Sequence, residues 1–107
     1  MNVRYYQTVA GARPVEKYLE ELDPHERAPI TAVLEDIVLH GLENALVAVR
    51  PIEGELWEFK VSRHRVFYVV VRGPEMVLLH AYKKQGQKAP RREIDLAKSR
   101  MKEVLGG

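Results

Sequence analysis

From Glu55 onward the hydrophobic pattern changes period, and that change leaves little freedom of topology. Apolar residues recur at every second position in ELWEFKVS, RVFYVVVRG and EMVLLHAYKK, separated only by Ser62-Arg63-His64 and by Gly73-Pro74. A period of two sends alternate side chains to opposite faces of a strand, and links this short cannot carry a parallel crossover. Three consecutive strands in an antiparallel meander are therefore predicted.

The first half has a different rhythm. VRYYQT, residues 3–8, has the aromatic and β-branched character of a short strand, closed by Gly11. Pro14 suits a first helical turn, and Val15, Tyr18, Leu19 and Leu22 recur at helical spacing. Asp23 as N-cap, Pro24 and Glu26 resemble a capping box, followed by the apolar stripe Ile30, Val33, Leu34, Ile37 and Val38 and a stop at Gly41. Residues 42–54, LENALVAVRPIEG, read as a connection with at most a short extended piece. Pro90 opens a last helix whose inner face is Ile94, Ala97, Met101 and Val104 or Leu105. The expected class is α+β: a small antiparallel sheet, made of the meander plus an N-terminal strand, with the two N-terminal helices and the C-terminal helix on one face.

Strand parity then sorts side chains. Val77, Leu79 and Ala81 are expected to meet the helices. A second, partly polar face is expected to carry Glu58, Lys60, His80, Tyr82 and Lys84. Trp57 is expected in the core because of its large apolar area. Arg65 shares a face with Phe67, Val69 and Val71, opposite Tyr68. Alternation leaves two readings open: a bulge re-aims Arg65, or Val66, Tyr68 and Val70 are the core set.

A length of 107 residues fits one domain spanning 1–107. The chain has no cysteine, which suits a reducing compartment, and no apolar run approaches the roughly 20 residues of a membrane span. MNVRYYQTVAG lacks the apolar core of a signal peptide. A soluble, cytoplasmic protein with no membrane association is expected. The net charge of +2 hides an asymmetry: residues 1–59 hold five Lys/Arg against eleven Asp/Glu, and residues 60–107 hold twelve against four. Such a basic half suggests contact with a polyanion, the alternative being that the halves neutralise each other across the fold.

The stretches GELWEFKVS, RVFYVVV and VLLHAYKKQGQKAPRREIDLAKSRM resemble the phage-associated HigB-type branch of the RelE/ParE toxin superfamily. The likeness covers residues 52–105, and its most specific part is the strand ending His-Ala-Tyr-Lys-Lys. It implies a RelE-like fold and the toxin of a bacterial toxin–antitoxin pair. Such a toxin is a ribosome-dependent, metal-independent endoribonuclease that cuts messenger RNA by attack of the nucleotide's own 2′-hydroxyl. It also implies a helix-turn-helix antitoxin as partner, with the ribosome and mRNA, and no cofactor. Oligomeric state is left open. Carried onto this chain, Arg65 opens the superfamily's R-x-x-Y strand and would contact the scissile phosphate. Tyr82 and His80 would transfer protons or stack on bases, and Lys84 would join them. Lys60, Lys83, Lys88, Arg91 and Arg92 would grip RNA backbone. A bland reading stands beside each: a solubilising strand end for Lys83 and Lys84, a structural histidine for His80, and an ion pair with Lys60 for Glu58. Two other functions share this fold, a ParE-like toxin acting on DNA gyrase and an inactive nucleic-acid- or antitoxin-binding module.

Overall fold

The computed structural model describes residues 1–88 and 90–106. Its elements run β1 (Asn2–Tyr5), α1 (Pro14–Glu20), α2 (Pro24–His40), a 3-10 turn (Leu42–Asn44), β2 (Ala48–Glu53), β3 (Leu56–Val61), β4 (His64–Val71), β5 (Glu75–Lys83) and α3 (Arg91–Gly106). The sheet order is β1-β5-β4-β3-β2, antiparallel throughout except that β1 lies parallel to β5. The meander is present as predicted. The sheet has five strands, because residues 42–54 contribute β2 as an edge. Pro51 is tolerated there, since an edge strand leaves one row of backbone groups unpaired.

α2 begins where its sequence signals fall: the Asp23 carboxylate accepts a hydrogen bond from His25 N–H at 2.8 Å, and Pro24 occupies the first turn. Gly41 ends it at φ 81°, a conformation that favours glycine. Pro29 falls inside the helix, near enough to its start that few backbone bonds are lost.

The helices do not share one face. α1 and α2 cover one side of the sheet, where Val15, Leu19, Ile30 and Ile37 pack on Phe59, Val66, Tyr68, Met76, Leu78 and Ala81. α3 covers the other, burying Ala97 among Leu56, Phe67, Val69, Val77, Leu79 and Tyr82. The two residue sets that alternation left competing in β4 are each core in part, Val66 and Tyr68 on the α1/α2 side and Phe67 and Val69 on the α3 side, while Val70 is exposed. Arg65 lies on the α3 side with Phe67 and Val69. A β-bulge in β5 corrects the expected parity of that strand. Phe67 pairs with His80 and Tyr68 with Leu78, so Leu79 is the extra residue. Leu79 and His80 consequently face α3 together, and Ala81 turns to the α1/α2 side. Trp57 is not enclosed: it remains 36% exposed on β3, next to edge strand β2. Among the described residues no helix is long and apolar enough to cross a membrane.

Candidate functional site

On the α3 side, the strand positions at one end of the sheet fall into two cross-strand rows. Lys60, Arg65 and Tyr82 are cross-strand neighbours on β3, β4 and β5. One row inward, Arg50, Glu58, Phe67 and His80 follow one another across β2, β3, β4 and β5. Arg50, Glu58, Lys60, Arg65 and Lys84 enclose a hollow of about 270 Å³, with Ala48 and Val49 at its edge.

Glu58 is the unusual member, with a side chain only 2% exposed. Its Oε1 accepts a hydrogen bond from Arg50 Nε at 2.8 Å. Its Oε2 is buried with no partner, and so is the hydroxyl of Tyr82. An unpaired buried oxygen costs stability, and of these two Glu58 lines the hollow while Tyr82 borders it as the cross-strand neighbour of Arg65. Burial raises the Tyr82 pKa, the Glu58 carboxylate raises it further, and Arg65 and Arg50 oppose them. The phenol is therefore protonated at neutral pH and available as a donor. Arg65 is braced by its own turn, one Nη donating to Ser62 O at 2.9 Å and His64 O at 3.2 Å. Among the described residues Lys60, Arg65 and Lys84 have no carboxylate within ion-pairing distance, Glu58 being taken by Arg50. The hollow thus holds four cations against one carboxylate, and fixed cations of this kind stabilise a phosphate and the charge that develops on it.

The other residues that the sequence pointed to are dispersed. Lys83 lies on the opposite face, donating to Glu26 of α2 at 2.9 Å. That carboxylate also meets the buried His64, whose other ring nitrogen contacts the Tyr18 hydroxyl at 2.7 Å. Lys83 is there because strand alternation sends it away from Tyr82 and Lys84. His80 is stacked with Phe67 and Tyr82 and hydrogen-bonded through Nε2 to Glu93 at 2.6 Å. Burial lowers its pKa against the pull of Glu93, and Arg100 donates towards its Nδ1, so it is a neutral ring that gives its Nε2 proton to Glu93. It sits under α3 and does not line the hollow. Arg91 is turned to Glu53 and Asp95. Arg92 and Lys88 are exposed and outside the hollow. Sequence reasoning passed over Arg50, because the strand carrying it was read as a connection, and it paired Glu58 with Lys60 instead. The one available signal was a lone arginine alternating with apolar residues in AVRPIE. Among the described residues no cluster of three or more His, Asp or Glu could hold a metal ion.

No curated protein matches the chain significantly. Among solved structures, one chain of the RelB–RelE antitoxin–toxin complex from Methanococcus jannaschii superposes with a TM-score of 0.55 at 16% identity, covering 75% of this chain and 87% of that one. At that identity the likeness is one of fold, and it agrees with the α+β class expected from the element pattern and with the RelE-like fold that the resemblance implied. The family model described as Phage derived protein Gp49-like (DUF891) matches residues 17–102, which takes in α2, the meander and most of α3. The chain therefore belongs to the phage-derived Gp49-like family.

Proposed function

We propose that this protein is the toxin of a bacterial toxin–antitoxin pair and a metal-independent endoribonuclease that cuts messenger RNA on the ribosome, in the manner of HigB-type toxins. Membership of the Gp49-like family, the fold shared with a chain of an antitoxin–toxin complex, and the His-Ala-Tyr-Lys-Lys strand support the toxin reading. The shared fold also supports neutralisation by an antitoxin, and the resemblance to HigB-type toxins implies one of the helix-turn-helix kind. The observation that carries the chemistry is a buried carboxylate with one open oxygen set among cations in the hollow.

In this reading Glu58 Oε2 takes the proton from the 2′-hydroxyl, and O2′ forms a bond to phosphorus while the bond to O5′ breaks. Arg65, Lys60 and Lys84 balance the extra charge on the phosphorane. The Tyr82 hydroxyl supplies the proton to the departing O5′, leaving a 2′,3′-cyclic phosphate and a 5′-hydroxyl. Glu58 is the acceptor by exclusion: the Tyr82 phenol is held protonated, and His80 is committed to Glu93.

Inducing the parent, Glu58→Gln and Arg65→Ala in a growing bacterium, and mapping message ends on ribosomes, tests this. The parent arrests growth and yields ends bearing cyclic phosphate. Glu58→Gln lowers cleavage by about 10²–10⁴-fold, the usual share of a general base. Arrest accompanied by DNA damage signalling and intact messages would instead favour the gyrase-directed alternative. Cleavage at parental rates in both variants would remove the site assignment.

A further inference from the structure

Beside the hollow, and sharing Arg65 and Lys84 with it, lies a second concavity of about 390 Å³ bounded by Arg63, Gly86 and Gln87. Arg63 belongs to the two-residue turn joining β3 to β4. That turn is pinned to the segment after β5 from both sides. Lys84 N–H donates to Arg63 O at 2.8 Å, and Arg63 Nε donates to Lys84 O at 3.2 Å. Arg65 is tethered to carbonyls of the same turn through one Nη. Each guanidinium is thus fixed along one edge by backbone, and its remaining N–H groups have no protein acceptor among the described residues. The carboxylates near this end are already engaged, Glu58 with Arg50 and Glu26 with Lys83. Neighbouring cations held without counter-charge repel one another, and a planar fork with free N–H groups matches a phosphate better than it matches water.

We propose that the groove holds two successive phosphates of single-stranded RNA, one in the hollow at Arg65 and Lys60 and the next at Arg63, with Lys84 between them. The proposal rests on the nuclease reading and deepens it: the substrate is gripped as an extended strand running round the end of the sheet. Arg63 is here a phosphate-binding residue with no part in proton transfer.

Oligonucleotides with 2′-O-methyl groups cannot be cleaved by 2′-hydroxyl attack, so they report binding alone. The probes are a labelled dinucleotide with one phosphate and a labelled trinucleotide with two, titrated by fluorescence anisotropy at several salt concentrations. For the parent, the slope of log affinity against log salt is steeper for the trinucleotide by about 0.7, the value for one further phosphate on a single strand. Arg63→Ala removes that increment and weakens the trinucleotide at least about threefold, leaving the dinucleotide unchanged. Arg63→Lys, which keeps the charge and loses the Nε tether, restores the increment. The proposal is overturned if Arg63→Ala leaves the trinucleotide at parental affinity and slope, or weakens both probes alike. In either case a loss of both probes in Arg65→Ala leaves the nuclease reading standing. If Arg65→Ala also changes nothing, both fall.

Discussion

Glu53 shows how a single side chain ties the closing helix to the sheet. Its carboxylate accepts from Arg91 and from Lys98 at 2.9 Å, and these two cations, Arg91 foremost, hold its pKa down from an ordinary 4.5 to about 2. A carboxylate depressed on folding contributes stability that is fully present above its unfolded value and is lost as pH falls through its folded value. The window here runs from about pH 4.5 down to about 2. Thermal melts followed by circular dichroism should show the melting temperature falling through that window, with a shallower fall in Glu53→Gln. Equal slopes in the two proteins would show that the pair contributes nothing to the acid limb. Glu26 is also depressed, chiefly by Lys83, so part of the slope survives the substitution. Which acid meets which base was not legible beforehand. Glu58 has Lys60 as the nearest cation in its own strand, yet its partner is Arg50, which becomes its neighbour only through the register of β2 on β3. Pairing of this kind is a property of the folded sheet and leaves no local trace.

The β3–β4 hairpin carries backbone strain next to the candidate site. Ser62 is the one non-glycine residue with positive φ among the described residues, at 54°. The left-handed region costs an ordinary L-residue about 1–2 kcal/mol, and more when the side chain is β-branched. Ser62→Gly is expected to raise the urea midpoint by the equivalent of about 0.5–1 kcal/mol, part of the relief being offset by glycine's greater freedom when unfolded. Ser62→Val should lower it by about 1–2 kcal/mol. A valine variant as stable as the parent would mean that the turn relaxes and does not fix Arg63 and Arg65. The hairpin itself was readable from the short link Ser62-Arg63-His64 and the period-two runs on either side, and the structure narrows that link to Ser62 and Arg63. The bulge at Leu79 was not. EMVLLHAYKK is apolar on both faces where it is central, so nothing in the pattern betrays a change of phase, and the shift appears only where Phe67 meets His80. The same two-sided apolarity explains the misplacement of α3. With both faces of β4 and β5 buried, one layer of helices cannot cover the sheet, and the competing residue sets in β4 are the sign of a three-layer arrangement.

Across the whole molecule the acidic first half and the basic second half do neutralise each other in part. Glu26 with Lys83, Glu53 with Arg91 and Lys98, and Arg4 with Glu75 each join one half to the other. Of the cations that those pairs leave over, Lys60, Arg63, Arg65 and Lys84 gather at one end of the sheet, where they face the two concavities. If this end is the proposed cleavage site, stability and activity are set against each other there, and two adjacent lysines separate them. Lys83→Gln breaks a half-exposed ion pair with Glu26, and should lower the urea midpoint slightly while leaving message cleavage at the parental rate. Lys84→Gln removes one of the crowded cations. It should leave stability unchanged or raise it by up to about 0.5 kcal/mol, and reduce cleavage by about tenfold or more. Urea denaturation and a ribosome-dependent cleavage assay on the same two proteins would read both quantities. If Lys83→Gln were the inactive one, strand alternation would have assigned the wrong lysine to the hollow. If both variants lost stability and kept activity, the uncompensated charge at this end would have no bearing on RNA.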